Sequence, residues 1–172
     1  MKKKIGFIFL CCLCFALIFG GCAGQDKKQT DSSEEGTAVY YTNESGTRLI
    51  PVKKKLDLTS DDPQENVKTM LKQMKNVNDD AEYKSAIPDG VIINSAAVSN
   101  NIVAVDFSTG YNKLDENEDL ICRAGIVYTL TQIDGINYVS FSVSGKAMLD
   151  TDGKAFGALG RDSFVFGELP ME

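Results

Sequence analysis

The sequence of 172 residues contains no histidine. Serine and cysteine nucleophiles are usually activated by an adjacent base, most often histidine. The chain can therefore form no Ser–His or Cys–His pair. A row of serines alternates strictly with apolar residues in the stretch Tyr138–Ser144. Strict alternation predicts a strand with one buried and one solvated face. We therefore interpret Ser140, Ser142 and Ser144 as the solvated face of a strand.

Cysteine is almost absent beyond the N-terminus. Four of the five cysteines lie within the first 22 residues, and only Cys122 follows them. A disulfide framework within the folded part is therefore excluded. Cys122 lies in an apolar helical pattern, where a lone cysteine is most often a small core residue, and we predict that role for it.

Basic residues are outnumbered by acidic ones, 18 to 24. Three of the lysines, Lys2–Lys4, stand at the N-terminus, so the rest of the chain has 15 basic and 24 acidic residues and a net charge of −9. An acidic surface argues against nucleic acid as a partner and against electrostatic docking on anionic lipid. The sequence also predicts no cofactor.

What the chain does have is a marked N-terminal leader. Lys2–Lys4 form a basic head, Ile5–Phe19 is apolar except for Gly6, and Gly20-Gly21-Cys22 follows. This order is typical of a secretory signal peptide, and the cysteine after two small residues makes it resemble a bacterial lipoprotein signal. That resemblance implies that residues 1–21 are removed and that Cys22 receives a diacylglycerol, which holds the protein on the extracytoplasmic face of the membrane.

The alternative for this stretch is an uncleaved membrane anchor. A spanning helix needs about 20 apolar residues, and the run falls at the short edge of that range. Such a helix gives no reason for Gly-Gly-Cys at its end, which favours the lipid anchor. Residues 22–37 are polar and small and predict a disordered tether. Residues 38–172 are then a single domain.

Within this domain the apolar pattern predicts two helices and several strands. Asp62 as N-cap, Pro63 and Glu65 mark the start of the first helix, and the second runs from about Glu116 to Ile133. The second helix is apolar on two sides, and Ile126 and Leu130 belong to its second stripe. We expect the first helix to cover that stripe; if exposed, Ile126 and Leu130 are the candidate interaction surface. The predicted strands are Ala38–Asn43, Arg48–Leu58, Val91–Val98, Ile102–Phe107, Tyr138–Ser144 and Ser163–Phe166.

Two groups of charged residues could be binding sites or ordinary surface features. Lys53–Lys55 could bind phosphate or a wall polymer, but lysines on an edge strand also deter unwanted strand addition, which we favour. Asp150-Thr151-Asp152-Gly153 begins like a calcium-binding loop. It lacks the later acid and the terminal glutamate of an EF-hand, so we predict a turn and no metal site.

Four stretches together resemble the GerMN domain of bacterial sporulation and spore germination lipoproteins. The resemblance is carried by Val39-Tyr40-Tyr41 with Leu49–Val52, by Ile87–Gly90 with Ile93–Ser95, by Val105–Ser108, and by Val127–Thr131 with Val139–Phe141 and Gly145-Lys146. It implies an α+β domain in which two helices pack on one face of a small, mostly antiparallel sheet, similar to ring-building modules of secretion-type assemblies. It also implies a role in the envelope or spore coat and no catalytic activity.

Asp106 is the most recognisable polar position of that family. We expect it to fix the end of its strand and the following loop by accepting hydrogen bonds from backbone N–H groups. A binding role for Asp106 is the alternative.

The function that follows is a non-enzymatic envelope module, held by its lipid anchor, whose partner is an envelope protein or a cell-wall polymer. The alternative is an envelope hydrolase that uses Asp106 with Asp150 or Asp152, which requires two acids about 5 to 10 Å apart across a cleft. A small-ligand receptor for a transporter is less favoured, because one small domain offers no cleft between domains.

Overall fold

The computed structural model describes residues 35–59 and 61–164, which belong to one compact unit. The leader, Cys22 and most of the predicted tether lie outside the described residues. None of the helices in the described ranges is long and apolar enough to cross a membrane. The elements in chain order are β1 (Thr37–Thr42), β2 (Leu49–Lys54), α1 (Pro63–Lys75), β3 (Ile93–Ser99), β4 (Ile102–Phe107), a 3₁₀ helix (Thr109–Lys113), α2 (Glu116–Leu130), β5 (Tyr138–Val143), β6 (Lys146–Ala147) and a second 3₁₀ helix (Arg161–Ser163).

The larger sheet has four strands in the order β3-β4-β5-β6. β3 and β4 form the predicted antiparallel hairpin, and its turn contains Asn100 with a φ of 53°, a left-handed conformation that asparagine tolerates. β5 runs parallel to β4, because α2 carries the chain back across the sheet between them, and β6 is antiparallel to β5. The sheet is therefore mostly antiparallel, and the α+β fold that the resemblance implied is confirmed.

One face of this sheet is covered by both helices. The side chains that point to the covered face are buried, and they follow the strict alternation of the sequence: Val103, Val105, Phe107, Val139 and Phe141. On the opposite face the same strands carry Ala104, Asp106, Ser140 and Ser142. The predicted division of the serine strand into an apolar buried face and a polar face is thus confirmed.

β1 and β2 form a separate two-stranded sheet that packs on the helices. The N–H of Tyr40 donates to Thr129 Oγ1 of α2 at 3.0 Å, and the rings of Tyr40 and Tyr128 lie 5.3 Å apart. The helices are therefore enclosed between this hairpin and the larger sheet. β2 ends at Lys54 and is shorter than the predicted Arg48–Leu58.

The two helices begin as their sequences predict. Asp62 caps α1 by accepting a hydrogen bond from the N–H of Glu65 at 3.0 Å, with Pro63 in the first turn. The Glu65 side chain does not complete the capping box, because it pairs with Lys68 instead. In α2, the Asp115 carboxylate accepts hydrogen bonds from the N–H groups of Asn117 and Glu118, and the Glu118 carboxylate accepts one from the N–H of Asp115.

Ile126 and Leu130 do not form an interaction surface. Both side chains are completely buried, because α2 is enclosed by β1, α1 and the larger sheet. The predicted burial of the second stripe is therefore confirmed, and the exposure on which a docking surface there depended is not present. Close packing extends to Gly125, where a Cβ atom would lie only 2.8 Å from Cβ of Ala86.

The predicted final strand Ser163–Phe166 is not formed in its described part. Ser163 ends the second 3₁₀ helix, and Val165 and Phe166 lie outside the described residues. Phe164 is buried, and its ring lies 5.9 Å from that of Tyr128. An apolar side chain that packs on a helix gives the same sequence signal as one that packs on a sheet.

Candidate functional site

The polar centre of the open sheet face is Asp106. Its Oδ1 accepts hydrogen bonds from Ser142 Oγ at 2.6 Å and from the N–H of Gly145 at 2.7 Å, and its Oδ2 accepts one from Asn94 Nδ2 at 2.9 Å. These donors belong to β5, the β5–β6 turn and β3, so the carboxylate joins three strands. The predicted bond from a backbone N–H is present, but it comes from the neighbouring turn and not from the loop that follows Asp106.

These hydrogen bonds hold the pKa of Asp106 below its ordinary value, with the bond from Ser142 the largest cause, followed by those from Asn94 and Gly145. A lowered pKa keeps the carboxylate ionised, which suits an acceptor that fastens strands together. A glycosidase general acid needs the opposite shift, towards neutral pH. The geometry therefore suits a structural role.

The acids proposed as partners of Asp106 are part of a turn. Asp150 Oδ1 accepts hydrogen bonds from the N–H groups of Asp152 and Lys154, both at 2.9 Å, and Gly153 has a φ of 77°. This arrangement is the predicted turn. Neither Asp106 nor these two acids line any of the three concavities described below.

A concavity of about 760 Å³ lies at one end of the helices. It is bounded by the β1–β2 turn, the connection from α1 to β3 and the first turn of α2. Its walls are polar and bear Glu44, Asp79, Lys84, Asp89 and Glu118. No group of three or more metal-binding side chains is present among the described residues. Of the acids here, Glu118 belongs to the capping box of α2.

A second concavity of about 440 Å³ lies under the hairpin that follows β5. Tyr111 and Asp119 line it, and the Tyr111 hydroxyl donates to the Asp119 carboxylate, which also forms an ion pair with Arg123. Burial raises the pKa of Tyr111 above its ordinary value. The Arg123 guanidinium lies 5.0 Å from the ring centre of Phe156. Every polar group of this cluster has a partner, which is typical of a structural cluster.

Cys122 is a core residue, as predicted. Its side chain is completely buried, and burial raises the pKa of the thiol well above its ordinary value. A protonated, inaccessible thiol is chemically inert. Among the lysines of β2, Lys53 Nζ donates to the carbonyl of Gly36 at 3.3 Å and Lys54 Nζ lies 5.0 Å from the Tyr41 ring centre.

Sequence reasoning missed two contacts that shape the surface. The pair of Asp119 and Arg123 has the i, i+4 spacing that favours helical ion pairs, so a signal was present. Gln64 gave no signal: its amide donates to the carbonyl of Ala96 and accepts from the N–H of Val98, both at 2.8 Å. In this way a side chain of α1 occupies backbone groups on the outer edge of β3.

Comparison with known proteins identifies a family. The family model described as "Germane: Sporulation and spore germination" matches residues 38–149, well over half of the chain. No curated protein matches the sequence.

Solved structures share the fold at low sequence identity. The first GerMN domain of the sporulation protein GerM from Bacillus subtilis aligns with a TM-score of 0.57 and 17% identity, over 75% of this chain and 99% of that one. The tandem GerMN domains of the same protein align with a TM-score of 0.54 and 12% identity, over 76% of this chain and 48% of that one. The chain thus spans about half of the tandem structure. A Clostridium perfringens protein described as a lipoprotein aligns with a TM-score of 0.50 and 13% identity, over 73% of this chain and 86% of that one.

Proposed function

The chain belongs to the Germane family of sporulation and spore germination, and from this premise we propose that it is a lipid-anchored envelope protein of a spore-forming bacterium. Its single GerMN-type domain binds a protein or a wall polymer and catalyses no reaction. The lipid is attached at Cys22, and the residues between Cys22 and β1 are the link between membrane and domain.

The observation that carries this proposal is the N-terminal leader. Lys2–Lys4, the apolar run and Gly20-Gly21-Cys22 stand in the order that a lipoprotein leader requires, and the family match begins at residue 38, directly after the polar link. The fold similarity to a protein described as a lipoprotein agrees with this assignment.

A binding role without catalysis agrees with the chemistry of the described residues. Asp106 is ionised and engaged in three hydrogen bonds, Asp150 is used by a turn, and the Cys122 thiol is buried. The Germane family is not a known enzyme family. No observation favours the hydrolase alternative over a binding role.

The lipid anchor is tested by metabolic labelling with radioactive palmitate in a bacterial host that makes lipoproteins. We expect the wild-type chain to take up label and Cys22→Ala to take up none and to accumulate as unprocessed precursor. Cys14→Ala is the matched control, because it removes a cysteine from the apolar run and is expected to leave labelling unchanged. Labelling that survives Cys22→Ala would refute the assignment.

The absence of catalysis is tested separately with purified protein and isolated cell wall. We expect no release of soluble wall fragments above the buffer control. Release by the wild type that disappears in Asp106→Asn would overturn the binding assignment in favour of the hydrolase.

A further inference from the structure

A narrow groove of about 400 Å³ runs between α1 and β3, the edge strand of the larger sheet. Its lining is mostly apolar: Leu71 is buried, and Ile93 and Ala96 are half-buried. At one end stands Ile92, which at 61% is the most exposed large apolar side chain among the described residues.

Hydrogen bonds between α1 and the strand close both ends of the groove. Gln64 binds the backbone at Ala96 and Val98, and at the other end Lys75 Nζ donates to the carbonyl of Val91 at 2.9 Å. The open part therefore extends over the six residues from Val91 to Ala96. Five steps of about 3.3 Å between them give a length of about 17 Å.

The rim of the groove on the α1 side is basic. Lys68, Lys72 and Lys75 follow one another at i, i+4 and i+7, so they lie on the same side of the helix. Lys68 pairs with Glu65, but both side chains are more than half exposed, so the pair is weak. The strand side, residues 91–99, has no charged residue. In a chain whose net charge is negative, this groove is a local positive surface.

The position of the groove favours an extended chain as the occupant. It lies beside β3, the edge strand of the larger sheet, and the hydrogen bonds that close it run from α1 to the backbone of that segment. A segment laid along an edge strand in the extended conformation keeps the same spacing of side chains as the strand.

We propose that this groove binds an extended segment of a partner protein in which acidic and apolar residues alternate. Lys68 and Lys72 are about 6 Å apart along the helix axis, and side chains on one side of an extended chain repeat every 6.6 Å or so. Acidic side chains at every second position therefore reach the lysines, and the apolar side chains between them face Leu71 and Ile93. This inference rests on the proposed function as a binding module and names the chemistry of the partner.

The test uses the chain from Ala23 onward, because the described residues have their own core. The probe is a fluorescein-labelled octapeptide of alternating glutamate and leucine, and binding is followed by fluorescence anisotropy. We expect Lys68→Glu combined with Lys72→Glu to lower the affinity at least about tenfold, since two attractive pairs become repulsive. Lys53→Glu combined with Lys55→Glu is the matched control, in β2 and directly after it, and is expected to leave the affinity within about twofold.

Two further arms test the apolar part and the position of the site. An octapeptide of alternating glutamate and serine is expected to bind at least about tenfold more weakly, because it has no apolar groups to bury. In methyl NMR spectra of the wild-type chain, the leucine-containing probe is expected to shift the signals of Ile92, Ile93 and Leu71. Thermal melting of each variant shows that the fold is intact.

Any one of three results would overturn the proposal. Both pairs of lysine variants could lose affinity equally, the two octapeptides could bind equally well, or the signals of Ile92 and Ile93 could stay unchanged. The proposal would also be overturned if the chain ignored the probe but bound phosphatidylglycerol vesicles or associated with itself. These results leave acylation of Cys22 unaffected, so a failure of the groove is distinguishable from a failure of the lipid anchor.

Discussion

The two faces of the four-stranded sheet belong to the same strands but are stabilised by different interactions. On the covered face, Phe107 is completely buried, and its ring stacks on Tyr111 at 4.4 Å and on Phe141 at 5.8 Å. On the open face one position away, Asp106 holds three strands together through hydrogen bonds at the surface. The first face is stabilised by removing apolar area from water, and the second by satisfying a charged acceptor.

This difference shows what alternation in a sequence can and cannot tell. It correctly assigns each residue to a face, because the side-chain period of a strand is two. It does not reveal what the open face contacts. The open face here carries the hydrogen bonds around Asp106, and the groove proposed as a binding site lies at the edge of the sheet, beside α1.

The largest effect is expected from truncation on the covered face. Phe107→Ala should lower the free energy of unfolding by about 3 to 5 kcal/mol, because it leaves a cavity among stacked rings. Tyr138→Ala is the matched truncation on the open face, where the side chain is 41% exposed, and it should cost less than half as much. Urea denaturation of both variants measures the difference, and equal losses would show that the two faces are not distinct.

A sharper comparison changes neighbouring residues of β5 to the same amino acid. Val139→Thr places a hydroxyl in a completely buried position and should cost about 1 to 3 kcal/mol of unfolding free energy. Ser140→Thr makes a similar change on the open face and should stay within about 0.5 kcal/mol of the wild type. Thermal unfolding followed by circular dichroism compares them. A loss from Ser140→Thr as large as that from Val139→Thr would mean that the open face is also tightly packed.

The smallest effect is expected from Asp106→Asn, and it depends on pH. The hydrogen bonds from Ser142, Asn94 and Gly145 lower the pKa of Asp106 in the folded state below its ordinary value of 3.8. The carboxylate therefore adds stability above pH 3.8, and this stability is lost as the pH falls through the lowered pKa.

Wild type should accordingly be more stable than Asp106→Asn near neutral pH, and the difference should shrink in acid. Urea denaturation of both proteins, from neutral pH down through the lowered pKa of Asp106, measures this difference in stability. A difference that stays constant or grows as the pH falls would contradict the proposed role of these hydrogen bonds.

The local elements of the fold were predictable because their signals are local. The cap at Asp62, the two-sided apolar pattern of α2 and the alternation in β5 each depend on residues a few positions apart. The burial of Ile126 and Leu130 was expected from a helix that is apolar on two sides. Whether such a helix is enclosed or offers one stripe to a partner depends on tertiary packing, and in the structure that packing buries both stripes.

The groove could not be predicted, because its residues come from distant parts of the chain. Gln64 and Lys75 of α1 meet Ala96 and Val91 across the edge of the sheet. In the sequence, the lysines of α1 indicate only a solvated helix face. Likewise, the sequence around Gly125 does not indicate that Ala86 lies close enough to exclude a side chain at position 125.

The most direct test of the account is the mass of the protein isolated from membranes of a bacterial host that expresses the full chain. We predict a chain that lacks residues 1–21, begins at Cys22 and carries a diacylglycerol on that residue. A chain that retains Met1, or one that begins at Cys22 without lipid, would contradict the account.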